Sequence, residues 1–413
     1  MLRNLKRLLG SSISIRLFSV GLGFISSVLV NRALGLELRG AYTTIYTYAN
    51  LLQTLLNFGI AYALVPLGKL IGQSRAKDAV NTCLWLQFTV CVLCSIGFLC
   101  ISFSIQNLFI AILMCLQILN SQIVFVALIV DMRSRNMTLL FTSALYVFAN
   151  LILILFLQKQ LYVVLALLAI KNLLEIIVCS HRQKLFHFKL SDLSFDIIKE
   201  IAKYGIPTAV LAFLITCNYN IDVVVLNYLN AGDYELGLFG VAYTLSNMLW
   251  FIPDAFKEYV YNKSAREDPG GMTLVLIFFN VCICLCICIG FFFLGKPFLS
   301  LMYGKEFVAA FPTTVTIFIG IIPMIAFKLI HPIYVNEGKS LTVAAILLIA
   351  VASNSLCAFV LVPLYGAFGA AIATVIAYFI CGILFFIKYI YDYRLSYSDF
   401  KCCLEEMLRM DSA

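Results

Sequence analysis

Residues 31–42 read NRALGLELRGAY, and residues 227–243 read NYLNAGDYELGLFGVAY. Each is a short polar break between two apolar runs, with two glycines five residues apart, an acidic side chain between them and a tyrosine beyond. Laid over each other at a shift of 197 residues, Gly35 falls on Gly232, Gly40 on Gly237, Tyr46 on Tyr243, Thr47 on Thr244 and Asn50 on Asn247. Gln53 then meets Trp250, and Asn57 meets Asp254. Further on, a shift of 204 puts Arg135 on Lys339 and Asn150 on Asn354, so the second copy has gained about one loop of seven residues. A chain that makes the same turn twice at this distance is an internal repeat of two similar halves.

The runs on either side of each break are long. Of the 413 residues 62% are hydrophobic and 12% charged, far from the balance of soluble domains, which are about 45–50% apolar and about 25% charged. Apolar runs of membrane-crossing length fall near 8–30, 42–66, 80–103, 107–130, 138–157, 161–180, 205–229, 236–260, 272–295, 307–329, 340–362 and 368–390. The expected fold is all-α and polytopic, about 12 transmembrane helices in two pseudo-symmetric six-helix lobes. The expected division is residues 1–182 for the first lobe, 183–204 for an amphipathic linker on the membrane surface, 205–391 for the second lobe and 392–413 for a cytoplasmic tail. No loop is large enough for a soluble catalytic domain, and no P-loop, zinc signature or nucleophile elbow occurs, so no enzymatic activity and no cofactor are expected.

Position explains the net charge of +8 better than a nucleic-acid partner does. Arg3, Lys6 and Arg7 precede the first span, and Arg75, Lys77, Arg133, Arg135, Arg182, Lys184, Lys257 and Lys263 follow even-numbered spans. By the positive-inside rule both termini are cytoplasmic. The chain has 15 cysteines, almost all within spans, where Cys acts as a small apolar residue. Cys282, Cys284, Cys286 and Cys288 sit two apart on a helix, which turns each by about 200° from the last. They fan around the axis, and no metal site is expected.

Chemistry concentrates at a few positions inside the spans. Tyr46, Asn50, Gln53 and Asn57 share one helix face, and Tyr243 and Asn247 begin the matching stripe in the second half. Hydrocarbon satisfies no amide, so these faces turn toward protein or a water-filled cavity. Intramembrane charge costs about 2.5–3.5 kcal/mol and marks Arg16, Lys171, Glu175 and Asp222, the last with Asn218 one turn away. Two readings stand for Arg16, a cavity cation or a side chain snorkelling to the interface, and two for Lys171 and Glu175, function or mutual neutralisation. Asp254 follows Pro253, and Pro312 and Pro323 are expected to break the tenth span in the same way.

ALGLELRGAY at 33–42, NYNIDVVVLNYLNAGDYELGLFGVAYTLSN at 218–247 and LVPLYGAFGAAIATVIAY at 361–378 resemble the polysaccharide transporter family, the Wzx-type O-antigen and capsule flippases of the multidrug, oligosaccharidyl-lipid and polysaccharide exporter superfamily. The resemblance implies a flippase that moves an undecaprenyl-diphosphate-linked oligosaccharide across the bacterial inner membrane through a cationic cavity by alternating access. The expected state is a monomer beside polysaccharide assembly proteins, and Arg16 and Lys171, the cations placed within spans, are the expected substrate cations. Asp222, Glu175 and Asp254 would be candidates for coupling to H+ or Na+. A drug or cation antiporter of the same superfamily, or a lipid II-type flippase, stands as the alternative.

Overall fold

The computed structural model describes residues 2–60, 76–156, 160–183, 195–264 and 270–410, and among these every regular element is a helix. In chain order they are α1 Leu2–Leu56, α2 Ala76–Ile101, α3 Ile105–Val130, α4 Met132–Phe156, α5 Leu161–Gln183, α6 Phe195–Tyr228, α7 Asp233–Leu249, α8 Phe251–Ser264, α9 Gly270–Met302, a 3-10 turn Lys305–Ala310, α10 Phe311–Asn336, α11 Ser340–Tyr393 and α12 Tyr397–Met410. Ten helical stretches among the described residues are long and apolar enough to cross a membrane. Two of these, in α1 and α11, are broken at Gly35 and Gly366 into two limbs each. The protein is a multi-pass membrane protein. Large apolar side chains such as Phe148, Leu155, Phe293, Leu348, Leu356 and Val360 accordingly face outward, as a lipid-facing surface requires.

The first quoted break is a kink at one residue, and the second is a turn of four residues, 229–232. Gly35 (φ 73, ψ 176) and Gly232 (φ 91, ψ 156) occupy the same backbone region, one open essentially to glycine alone, and helix resumes at the next residue. The repeat read from the sequence is therefore also a repeat of backbone conformation. Gly366 (φ 55, ψ −132) makes the corresponding kink in α11. There the Glu235 carboxylate accepts from the Ala367 backbone N–H at 2.7 Å, which satisfies one of the orphan donors that a restarting helix exposes.

Two compact units are present, Met1–Thr216 and Cys217–Ala413. In the first, α1 packs on α3 and α4, and α3 packs on α2 and α5. Its core joins Leu34, Ile45 and Ala49 of α1 to Leu113 and Ile118 of α3, Leu153 of α4 and Val164 and Leu165 of α5. In the second, α10 is the central helix, packed on α7, α8, α9 and α11. Small residues let α10 and α11 approach, with Ala367, Ala370, Ala371, Ala373 and Ala377 all fully buried, the usual basis of helix association where lipid is as apolar as Leu.

Several expectations meet detail here. Pro312 does not break the tenth span. It sits in the first turn of α10, where a missing N–H costs nothing, and Pro323 does not break the span either, since α10 runs through it and through Pro332 as one helix. Pro253 donates no N–H to the carbonyl one turn back, and the helix is interrupted within that turn, at Trp250 between α7 and α8. Residues 184–194 of the expected surface linker lie outside the described residues, and 195–204 form the first turns of α6, continuous with the span that follows. After α11, the short helix α12 carries Phe400 against Phe278 of α9.

Candidate functional site

The second limb of α1 carries Tyr46, Asn50, Gln53 and Asn57 at spacings of four, three and four, so a helix of 3.6 residues per turn presents them on one face. In unit 1 that face lines two adjoining cavities of about 310 and 320 Å³ that share Gln53 and Ser121. Gln117 and Asn120 of α3 and Lys171, Asn172 and Glu175 of α5 complete the first. Thr54, Gly59, Ala212 and Thr216 help to line the second. At the deep end Asn57 donates to the Ser121 hydroxyl at 3.2 Å and accepts from the Gln87 amide at 2.5 Å. Tyr46 is partly exposed and stacks on Tyr42, centroids 6.0 Å apart.

Glu175 is the anchor of this cleft. Its carboxylate accepts from Asn120 at 2.7 Å and Thr142 at 2.9 Å, and pairs with Lys171 at 3.0 Å. A buried carboxylate is tolerable only when paired and hydrogen-bonded in this way. The Lys171 side chain is 23% exposed against 2% for Glu175, so the ammonium reaches the cavity while the carboxylate stays behind it. Both functional and neutralising readings of the pair thus have a structural counterpart.

Unit 2 holds the second group. Asp222 is fully buried in α6 and accepts from the Asn354 amide at 2.9 Å, while its other oxygen, and both polar atoms of the Asn218 amide, have no protein partner among the described residues. Asp254 pairs with Lys328 at 3.0 Å. Tyr243 is half-buried and Asn247 exposed on α7. Arg16 lies on the α1 backbone, and its side chain is outside the described residues.

Thus Tyr46, Asn50, Gln53, Asn57, Lys171 and Glu175 come together in one cleft, and Asn218 and Asp222 in a separate buried cluster. Sequence reading missed Gln117, Asn120 and Asn172, because single amides spread over two helices form no local pattern. It also missed Lys328, which sat at the edge of the tenth run. The signal that could have found it is that Leu329, Ile330, Ile333 and Tyr334 prolong the apolar segment beyond it. No group of three or more metal-binding side chains converges among the described residues.

The polysaccharide biosynthesis protein family matches residues 6–252, more than half of the chain. The chain belongs to that family. No curated protein sequence matches it. Solved structures with a similar fold include a multidrug resistance MATE family transporter of the MOP superfamily in an inward-facing conformation, with a TM-score of 0.67 and 13% identity over 91% of this chain and 94% of that one. Lipid II flippase MurJ in an inward closed conformation aligns with a TM-score of 0.68 and 15% identity over 97% of this chain and 91% of that one. A mutant of the Vibrio cholerae MATE transporter VcmN aligns at 0.57 and 14%, over 96% and 99%. At such identities the likeness is one of fold. The polysaccharide biosynthesis family member thus carries the fold of MOP-superfamily transporters.

Proposed function

We propose that this protein is a flippase that carries an undecaprenyl-diphosphate-linked oligosaccharide, the repeat unit of an O-antigen, lipopolysaccharide, capsule or exopolysaccharide, from the cytoplasmic to the periplasmic leaflet of the inner membrane by alternating access. The observation that carries this reading is the unit 1 cleft. Asn50, Gln53, Gln117, Asn120, Asn172 and Tyr46 surround the accessible Lys171. Amides both donate and accept, so they suit a head group dense in hydroxyls, and an aromatic ring suits a sugar face. A charged sugar head cannot cross about 30 Å of hydrocarbon unaided, and such a lining lowers that barrier. Arg16 and Lys171 supply cations toward the diphosphate, and Asp222 couples the cycle to an H+ or Na+ gradient. Both termini are cytoplasmic, and the monomer works with polysaccharide assembly proteins.

Proteoliposomes carrying a fluorescent undecaprenyl-diphosphate oligosaccharide test the reading through protection of the label from an outer-leaflet quencher. Translocation is expected, slowed strongly by Arg16→Ala and less by Lys171→Ala. Asp222→Asn is expected to abolish dependence on the gradient. Exchange of ethidium against protons or sodium without lipid movement would replace the flippase by a drug antiporter, and movement of lipid II alone would replace the substrate.

A further inference from the structure

The pair Asp254–Lys328 in unit 2 plays no part in the cleft of unit 1. Its surroundings are unusual for an ion pair. The Lys328 ammonium lies 4.9 Å from the centre of the Trp250 ring and 5.3 Å from that of Tyr219, and Tyr378 touches both rings with centroids 6.0 Å away. The side chain is 12% exposed, whereas that of Asp254 is 34% exposed. Ring faces attract a cation without neutralising it, so the desolvated ammonium retains its demand for an anion.

Asp254 meets that demand loosely. Its carboxylate contacts Lys328 through one oxygen, and no second donor holds it among the described residues. It stands in the first turn of α8, which is joined to α7 through the single residue Trp250. A change of its side-chain rotamer therefore uncovers Lys328 without disturbing a packed helix. Aromatic walls, a preorganised and largely covered cation and a partly exposed, singly tethered carboxylate make a site whose anion can be exchanged.

We propose that Lys328, framed by Tyr219, Trp250 and Tyr378, is a binding site for a diphosphate group, and that Asp254 is an internal anion occupying it until the diphosphate displaces it. A dianionic or trianionic ligand outcompetes a monocarboxylate for the same ammonium, so arrival of substrate frees Asp254 and reports occupancy to α8. That the diphosphate is the one on a lipid-linked oligosaccharide rests on the flippase reading, whereas the site itself does not.

The test is binding to the purified full-length chain in detergent by calorimetry, with inorganic pyrophosphate, farnesyl diphosphate and farnesol as probes. Asp254→Asn removes the internal competitor and is expected to tighten farnesyl diphosphate binding at least fivefold, and Asp254→Ser to do the same. Lys328→Gln is expected to weaken it tenfold or more, and Lys328→Arg to stay within threefold of the parent. A role confined to stability would not produce tighter binding in the Asp254 variants. If Asp254→Asn and Asp254→Ser bind no more tightly than the parent, or farnesol binds as well as farnesyl diphosphate, the proposal is wrong. Either order of pyrophosphate and farnesyl diphosphate supports the site and tells whether a free or a prenyl diphosphate is preferred. Tightened binding in a protein that moves no lipid-linked oligosaccharide would sink the flippase reading and leave the site standing. Transport with diphosphate binding indifferent to these variants would do the reverse.

Discussion

Lys171–Glu175 in the first unit and Lys328–Asp254 in the second are both ion pairs at 3.0 Å within spans, and the two are built in opposite ways. In Lys171–Glu175 the carboxylate is buried and clamped by Asn120 and Thr142, and the lysine faces the cavity. In Lys328–Asp254 the lysine is caged by aromatic rings and the carboxylate is the accessible partner. The difference teaches that an intramembrane ion pair is not one kind of object. The buried member is the fixed one, and the exposed member is the one that can be exchanged.

The largest effect expected from this contrast is on stability. Glu175→Ala removes a buried acceptor from three donors and is expected to cost about 3–5 kcal/mol, the range for breaking a buried pair. Asp254→Ala is expected to cost less than half as much, because the ammonium keeps two ring faces. Thermal unfolding in detergent measures both, and equal losses would erase the distinction between a fixed and an exchangeable carboxylate.

The glycine kinks sharpen the comparison between the halves. Gly35→Ala and Gly232→Ala force the same glycine-only backbone onto an L residue and are each expected to cost about 1–3 kcal/mol. A Cβ at Gly232 meets nothing within 4 Å, so there the loss is backbone strain alone. Gly366→Ala adds a collision with the Glu235 carboxylate and should be the worst of the three. Unequal losses at Gly35 and Gly232 would show that the repeat no longer holds energetically.

Asn150 and Asn354 occupy matched positions and are both fully buried. Asn150 donates to the Tyr146 carbonyl of its own helix at 2.8 Å, while Asn354 donates to Asp222 across to another helix. Asn354→Ala is therefore expected to cost about 1–2 kcal/mol and to reduce gradient-driven transport. Asn150→Ala should cost less and leave transport coupled. Similar transport defects in both would mean that Asp222 draws nothing particular from Asn354.

The smallest effect concerns acid. The Ser396 hydroxyl and its backbone N–H both donate to Asp399 at 2.7 Å, one half of a capping box at the start of α12, and these bonds hold the carboxyl below its usual range. A carboxyl whose folded pKa is depressed stabilises the folded state above its unfolded value of about 3.9, and that contribution disappears as pH falls through the folded value. Hydrogen exchange across 397–405, taken relative to an unfolded peptide at the same pH, should thus be steady from neutral pH down to about pH 5 and accelerate in stronger acid. In Asp399→Asn the acceleration should be absent.

The fold was largely legible because its determinants are local. Apolar run length reports a crossing, and the two polar breaks report where the chain turns. What looked like two similar short loops proved to be one glycine kink, at Gly35, and one four-residue turn ending on Gly232, since hydropathy averages over a window and cannot resolve single dihedral angles. The stripe from Tyr46 to Asn57 was legible for a related reason. Helical periodicity alone places those four residues on one face, and the cost of bare amides in hydrocarbon says that the face turns inward.

Partner choice obeyed no such rule. Asn57 and Asp254 stand at matched positions of the repeat, yet one joins an amide network with Gln87 and Ser121 and the other an ion pair with a lysine 74 residues away. Likewise Glu175 draws donors from α3 and α4, and Lys328 finds its rings on α6 and the residue joining α7 to α8. Periodicity constrains the rotation of a helix about its own axis, because one face must avoid lipid. It leaves open the axial offset and the identity of the helix opposite, which depend on how small residues on several helices pack at once. Composition and spacing were therefore enough to place charges inside the spans and to pair Lys171 with Glu175 one turn away, and only helix packing settled that Asp254 meets Lys328 and which member of each pair is the more exposed.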